Sequence, residues 1–354
     1  MYSATLESSP IDPLLERLVK KKAGNQKVIK RLKSLKRSFK RYSKPASEVV
    51  DKQIAQLAPL DNFNNTLENL IETIHQWLAT QTPSDTVDAV VDYYLQCRRY
   101  YLISTFYDET YRTRIIIGDH TIIFRQFCMD PSKQLKACLN LGRAAILFSA
   151  TLSPMSYYRQ VLGNEEDSLG MISHSSFPPQ NCQVIIANNI NTLYANRENS
   201  LQPICENIYT MITQKVGHYM MFFPSMAYLN ATLSKFVELH PDIDVINQQP
   251  EMDNAARTAF LDAFRTEDHQ TKVGFALLGG IFSEGIDLKN DQLIGVGIIS
   301  VGLPGMNKES DLIRDYFDSL NGQGFSFAYQ LPGFNNVSQA AGRVIRTDED
   351  KGVI

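Results

Sequence analysis

The sequence predicts an α/β protein in which a parallel sheet flanked by helices fills the larger, C-terminal part and an all-helical region precedes it. Three observations carry this. Apolar residues recur with a 3.6-residue period through residues 1 to about 110. After Tyr111, short β-branched runs bounded by Gly and Asp take over, and strand-like and helix-like stretches then alternate. The 354 residues, 44% of them apolar and 21% charged, suffice for two or three cores and exclude disordered, collagen-like and low-complexity classes.

The first distinctive element is a charge block. The formal net charge of -3 conceals a run from Arg17 to Lys44 with 13 Lys or Arg and no Asp or Glu, leaving 22 basic against 38 acidic residues elsewhere, a balance of -16. Within it Val28, Leu32, Leu35, Phe39 and Tyr42 recur at steps of 4, 3, 4 and 3, which predicts a basic amphipathic helix stopped by Pro45. Its cations, among them Lys30, Lys33, Lys36 and Arg37, suit either a solvated face or a surface that attracts phosphate backbones by counterion release.

Further helical stretches follow at Val50, Ile54 and Leu57, at Leu67 to Leu78, and from Val87 to about Ile103, with loops at Asp61 to Asn65 and Thr80 to Ser84. Strands are then predicted at Arg114 to Ile117, Thr121 to Phe124, Ala144 to Phe148, Gln183 to Ala187, His218 to Phe223, Ile243 to Ile246, Val273 to Leu278 and Leu293 to Val301. Helices at Leu201 to Lys215, Met226 to Leu239 and Asn254 to Phe264 lie between several of them. The start, MYSATLESSP, has neither a basic nor an apolar leader. The longest apolar run, around Leu293 to Leu303, is far short of the roughly 20 residues of a membrane span. A cytoplasmic location without a membrane partner is expected.

Cys97, Cys128, Cys138, Cys182 and Cys205 are scattered and odd in number, which fits reduced core thiols better than a disulfide framework. Six histidines include no close pair and none beside a cysteine at zinc-finger spacing, so no metal site is expected.

Four segments carry chemistry. AAILFSATLSP, Ala144 to Pro154, is an apolar strand ending in the hydroxyls of Ser149 and Thr151. HYMMFFPS, His218 to Ser225, delivers Ser225 to a helix start, where it serves as a cap or meets a phosphate; both readings stand. FALLGGIFSEGIDL, Phe275 to Leu288, places Gly279, Gly280, Ser283, Glu284, Gly285 and Asp287 on a loop at the carboxyl end of a strand, where α/β sheets bind ligands. QAAGRVIR spaces Gln339, Arg343 and Arg346 at i, i+4 and i+7, so a helix would project all three to one side. Two guanidinium forks aligned that way suit the charge spread over a transferred phosphoryl group.

In this order the four segments resemble motifs III to VI of superfamily 2 helicases, specifically the DinG and XPD branch, with SEGIDL and QAAGRVIR the most specific. The resemblance covers roughly 111 to 354; residues 1 to 110 resemble the family's helical arch by position. It implies an arch-like domain over 1–110, the last strands of a first RecA-like motor domain over 111–178, and a second RecA-like domain over 179–354, truncated at its end. It also implies an ATP-dependent DNA helicase that moves along single-stranded or forked DNA, usually 5′ to 3′, with ATP and Mg2+ as cofactors. On the matching positions, Arg343 and Arg346 would be arginine fingers and Gln339 an orienting group. Gly280, Glu284, Gly285 and Asp287 would couple nucleotide state to DNA, Ser149 and Thr151 would link the motor domains, and Ser225 would contact a DNA phosphate.

The sequence departs from the family in having no G-x-x-x-x-G-K-[ST] phosphate loop. Asp108 and Glu109 imitate the acidic magnesium motif, but their position just ahead of motif III argues against that role. The cysteine spacings do not fit the family's iron-sulfur pattern, so no iron-sulfur cluster is expected. These departures point to the C-terminal portion of a longer parent, inactive on its own. The alternative is a non-enzymatic nucleic-acid-binding module with a degenerate fold.

Overall fold

The computed structural model describes residues 2–354 except 21–23, 165–167, 266–269, 284–287 and 289. Two compact units emerge, one formed by residues 1–147 and 154–168 and the other by 148–153 and 169–354.

The first unit contains β1 (Ala4–Glu7), α1 (Ile11–Lys20), α2 (Gln26–Tyr42), α3 (Lys44–Ser47), β2 (Gln53–Gln56), α4 (Asp61–Leu78), α5 (Asp85–Ser104), β3 (Tyr111–Ile117), β4 (Ile122–Cys128), α6 (Ser132–Leu139) and α7 (Met155–Val161). The basic helix forms as its spacing demands: Val28, Leu32, Leu35 and Phe39 are buried on one face of α2. Phe39 and Phe63 of α4 meet edge-to-face at 5.0 Å, and both contact Phe124 of β4. Pro45 does not end this helix; α2 closes at Tyr42, and Pro45 sits in the first turn of α3, where its missing N–H costs nothing.

Two expectations here are corrected. The stretch at Val50, Ile54 and Leu57 is not helical: residues 53–56 form β2, with Ile54 opposite Ile115 of β3. Alternation toward a neighbouring strand outweighs a helical spacing carried by only three residues. Asp61 to Asn65 is the first turn of α4 rather than a loop. Residues 1–110 are predominantly helical, yet β1 and β2 lie there too. With β3 and β4 they form an antiparallel sheet of order β1-β4-β3-β2, so residues 111–128 pack with the helical region.

The second unit contains β5 (Cys182–Gln183), α8 (Arg197–Thr213), β6 (His218–Phe223), α9 (Met226–Leu239), β7 (Asp244–Asn247), α10 (Asn254–Asp262), β8 (Lys272–Leu277), β9 (Gly295–Ile298), α11 (Lys308–Asn321), α12 (Leu331–Ala341) and β10 (Gly352–Val353). Its sheet runs β5-β10-β9-β6-β8-β7 with parallel pairings throughout, the predicted α/β architecture. Every residue of β6 is buried. Tyr219, Met221 and Phe223 face a core shared with α8 and α9, while Met220 and Phe222 face the core of α10 and α12, so helices cover both faces.

Three predicted strands are shortened or absent. Residues 144–148 form no strand: Ile146 is 87% and Phe148 90% exposed, and without a covering sheet their apolar pattern finds no partner. The strand from Gln183 is regular only over Cys182–Gln183, although Ile185 N still donates to Ile354 O at 2.8 Å. That from Leu293 to Val301 reduces to β9, because Ser300 and Gly302 adopt φ of +89° and +68° and turn the chain.

Candidate functional site

Parallel strands deliver their carboxyl ends to one edge of the sheet, and three of the four predicted segments, those of Ser225, Gly279 and Arg343, meet there. Phe223 of β6 is in register with Leu277 of β8, and Leu278 N donates to Phe223 O at 2.8 Å. The Ser225 turn and the Gly279 loop therefore leave adjacent strands.

The helix predicted at Met226 to Leu239 forms over those residues, and Ser225 is its N-cap, accepting from Tyr228 N at 3.3 Å. A second group reaches the same hydroxyl: Arg197 Nη1 donates to Ser225 Oγ at 3.4 Å from the start of α8. The guanidinium lies over the rings of Tyr194 and Tyr228, 5.2 and 4.8 Å from their centroids. Sequence reasoning missed Arg197; its signal was the close spacing of Tyr194 and Arg197 just before a helix.

After β8 the chain turns at Gly279 with φ of +70°, where a β-carbon would lie 3.1 Å from Asn336 Nδ2 of α12. Gly280 follows, and Ser283, fully buried, donates its hydroxyl to Gly280 O at 2.8 Å. The predicted Glu284, Gly285 and Asp287 lie outside the described residues.

The QAAGRVIR segment is corrected in one respect. Helix α12 ends at Ala341 and carries only Gln339 of the three polar groups; Arg343 lies in the following turn and Arg346 beyond it, outside any helix or strand. Gly342 N donates to Ser338 O at 2.9 Å, then Arg343 N and Val344 N bond carbonyls three residues back, which tightens and ends the helix. Val344, buried in the core with Ala340, pins the turn. Arg343 nevertheless reaches the preceding motif: its Nε donates to Ser283 O at 3.0 Å. Gln339 Oε1 is buried with no hydrogen-bond partner among the described residues.

Asp350, also missed by sequence reasoning, is 4% exposed, and its Oδ2 accepts the backbone N–H of Arg346 and of Thr347, each at 2.7 Å. It fixes the stretch that bears Arg346. Ser149 and Thr151 lie elsewhere in the chain, paired with each other: Ser149 Oγ accepts from Thr151 N at 3.2 Å.

On α2, Lys30, Lys33 and Arg37 are exposed, whereas Lys36 is half-buried and paired with Asp12 of α1. Asp108, the acidic residue set aside as a magnesium ligand, is committed to local structure. Its Oδ1 accepts from Thr110 N at 3.0 Å and Thr110 Oγ1 at 2.6 Å, and its Oδ2 accepts from Lys133 at 2.9 Å. Cys97 and Cys205 are buried, and burial pushes the Cys205 thiol up to about 11. Among the described residues, no group of three or more His, Cys, Asp or Glu is placed to hold a metal ion, and no helix is long and apolar enough to cross a membrane.

Residues 208–354 match the family described as Helicase C-terminal domain. The chain is 26% identical over 260 residues to ATP-dependent DNA helicase CHL1 of Scheffersomyces stipitis, which covers 64% of this chain and 30% of that protein. It is 24% identical over 255 residues to the general transcription and DNA repair factor IIH helicase subunit XPD of Dictyostelium discoideum, covering 66% and 32%. The chain thus spans about a third of the length of these curated relatives. A solved structure of XPD without ligand superposes with a TM-score of 0.60 at 15% identity, over 99% of this chain and 68% of that one. That of S. tokodaii Xpd4 gives 0.58 at 12% identity, over 99% and 66%. On motifs, matched domain and fold together, this chain resembles a C-terminal portion of the DinG and XPD branch of superfamily 2 helicases, with residues 208–354 matching the helicase C-terminal domain.

Proposed function

We propose that the chain is the C-terminal portion of an ATP-dependent DNA helicase, which couples ATP hydrolysis to 5′ to 3′ movement along single-stranded DNA and to duplex unwinding. The observation that supports the reading is the bond from Arg343 to Ser283 O, which joins two of the motif segments, far apart in sequence, at the carboxyl edge of a parallel sheet. DNA repair, named for the XPD relative, is the process we propose for the parent.

In this reading the chain supplies one half of an ATP site, and the remainder of the parent supplies the phosphate loop and the magnesium ligands. Magnesium, when bound there, offsets charge on the phosphates. Arg343 and Arg346 neutralise the charge that develops on the transferred phosphoryl oxygens. The buried Gln339 Oε1 is an acceptor able to orient the attacking water. The loop from Gly280 through Glu284, Gly285 and Asp287, tied to Arg343, couples nucleotide state to the DNA track. Ser225 meets a DNA phosphate there, Ser149 and Thr151 link the motor domains, and Lys30, Lys33 and Arg37 hold the strand electrostatically.

The test joins this chain to the upstream part of its parent and measures DNA-stimulated ATP hydrolysis and unwinding. A parent that binds DNA but hydrolyses no ATP, with a phosphate loop present and folding verified, would sink the helicase reading and favour a nucleic-acid-binding module.

A further inference from the structure

The start of α8 combines three features that the motif reading leaves unused. The first is the charge of Arg197. It is half-buried, and among the described residues its buried Nε has no hydrogen-bond partner and no carboxylate lies within ion-pair range. A partly desolvated cation without a counter-ion is costly, and such an orphaned donor calls for an explanation. Its position is nonetheless well held, by Ser225 Oγ and by the Tyr194 and Tyr228 rings, while Tyr228 is itself fixed by a hydrogen bond with the Ser200 hydroxyl.

The second feature is Tyr194, an aromatic ring left 86% exposed beside this cation. The third is a cavity of about 220 Å³ along the same turn, lined by Asn189, Asn191, Asn196, Asn199 and Ser200 with Ile190 and Pro203. Neutral amides both donate and accept, as the edges of nucleobases do, and carry no charge to repel a phosphate.

We propose that Arg197 and Tyr194 form a subsite for one nucleotide of single-stranded DNA: the guanidinium binds a backbone phosphate, the exposed ring stacks on the adjoining base, and the asparagine-lined cavity receives the base edge. Stacking on an aromatic platform next to a cation is how strands are held without sequence preference. The proposal rests on the DNA-binding part of the helicase reading and extends it to residues outside the recognised motifs. It also makes Ser225 a shared partner, because its hydroxyl caps α9 and accepts from Arg197 at once.

The test measures binding of the full chain to a fluorescent oligo-dT across a salt series, with Arg197→Ala, Arg197→Lys, Tyr194→Ala and Tyr194→Phe. Arg197→Ala should flatten the log-log salt slope by about 0.7, the value of one phosphate on a single strand, and Arg197→Lys should restore it. Tyr194→Ala should weaken binding about tenfold with little change of slope, and Tyr194→Phe should bind as the wild type does. Because Tyr194 is exposed, its truncation leaves folding intact and keeps the test sound even where loss of Arg197 loosens Tyr228. Bromouracil placed in the oligonucleotide should photo-cross-link at Tyr194. If the wild-type chain binds oligo-dT but both alanine variants keep its affinity and slope, the subsite is overturned while the helicase reading stands. If the wild-type chain does not bind oligo-dT, the DNA-binding reading fails and the subsite with it.

Discussion

Arg343 donates from Nε to the carbonyl oxygen of Ser283, 60 residues earlier, at 3.0 Å. The bond ties the loop after β8 to the turn after α12, so a residue proposed to act on phosphate also positions the loop proposed to sense it. Both roles are separable by kinetics. In the complete parent, Arg343→Ala should lower kcat by about 10³-fold or more, as arginine fingers do, with a much smaller rise in the ATP KM. Loss of the Ser283 bond alone would cost about 1 kcal/mol of stability. A variant that loses stability but keeps near-normal kcat would reduce Arg343 to a strut. Lysine should not rescue Arg346, since a point charge cannot reproduce the planar fork.

Asp350 sets a second expectation. Its carboxylate satisfies the Arg346 and Thr347 amides from a site that is almost fully buried. Asp350→Ala orphans both donors and should cost about 2 to 4 kcal/mol, read as a lower urea midpoint. The effect on ATP hydrolysis should exceed that of an equally destabilising change on α9, because the stretch bearing Arg346 loses its anchor. Equal losses would make Asp350 purely structural.

How far the sequence could carry these conclusions depends on where each signal resides. Helices α2 and α9 and strand β6 were legible because their apolar patterns are periodic or continuous along the whole element, although the stop read at Pro45 lies three residues past the end of α2. β2 was not, since four residues whose partner lies some sixty positions away leave no local signature beyond an ambiguous spacing. In the site, the residue types at Gln339 and Arg343 were readable, but the end of α12 was not. Gly342 and the burial of Val344 decide it through tertiary packing. Arg197 and Asp350 escaped notice because their partners, Ser225 and two backbone amides, are set by the fold.

The charged face of α2 yields a divided prediction. Lys30, Lys33 and Arg37 are exposed, and replacing all three by glutamate should leave the fold intact while lowering the salt slope of single-strand binding by about 0.7 for each lost phosphate contact. Lys36 behaves differently because it pairs with Asp12. Lys36→Glu sets two carboxylates together and should destabilise the first unit, by about 1 kcal/mol, whatever its effect on DNA. Unchanged affinity in the triple variant would leave α2 a solvated helix face.

Asp108 gives the pH dependence. Burial alone would raise its pKa, but hydrogen bonds from Thr110 and Lys133 outweigh that and hold the carboxyl below its usual value. A group whose pKa is lower in the folded than in the unfolded state stabilises fully above the unfolded value, about 3.9 for aspartate, and loses that contribution as pH falls through the folded value. Asp108→Ala should therefore cost about 1 to 2 kcal/mol at neutral pH through the two lost Thr110 bonds. The gap from wild type should narrow as the solution is acidified below the unfolded value. Lys133→Met should leave the urea midpoint nearly unchanged, because Lys133 is 67% exposed and solvent screens its pair. Urea denaturation at a series of pH values checks both variants. A deficit in Asp108→Ala that stays constant from neutral to strongly acidic solution would show that its carboxylate charge contributes nothing and that shape alone holds the turn before β3.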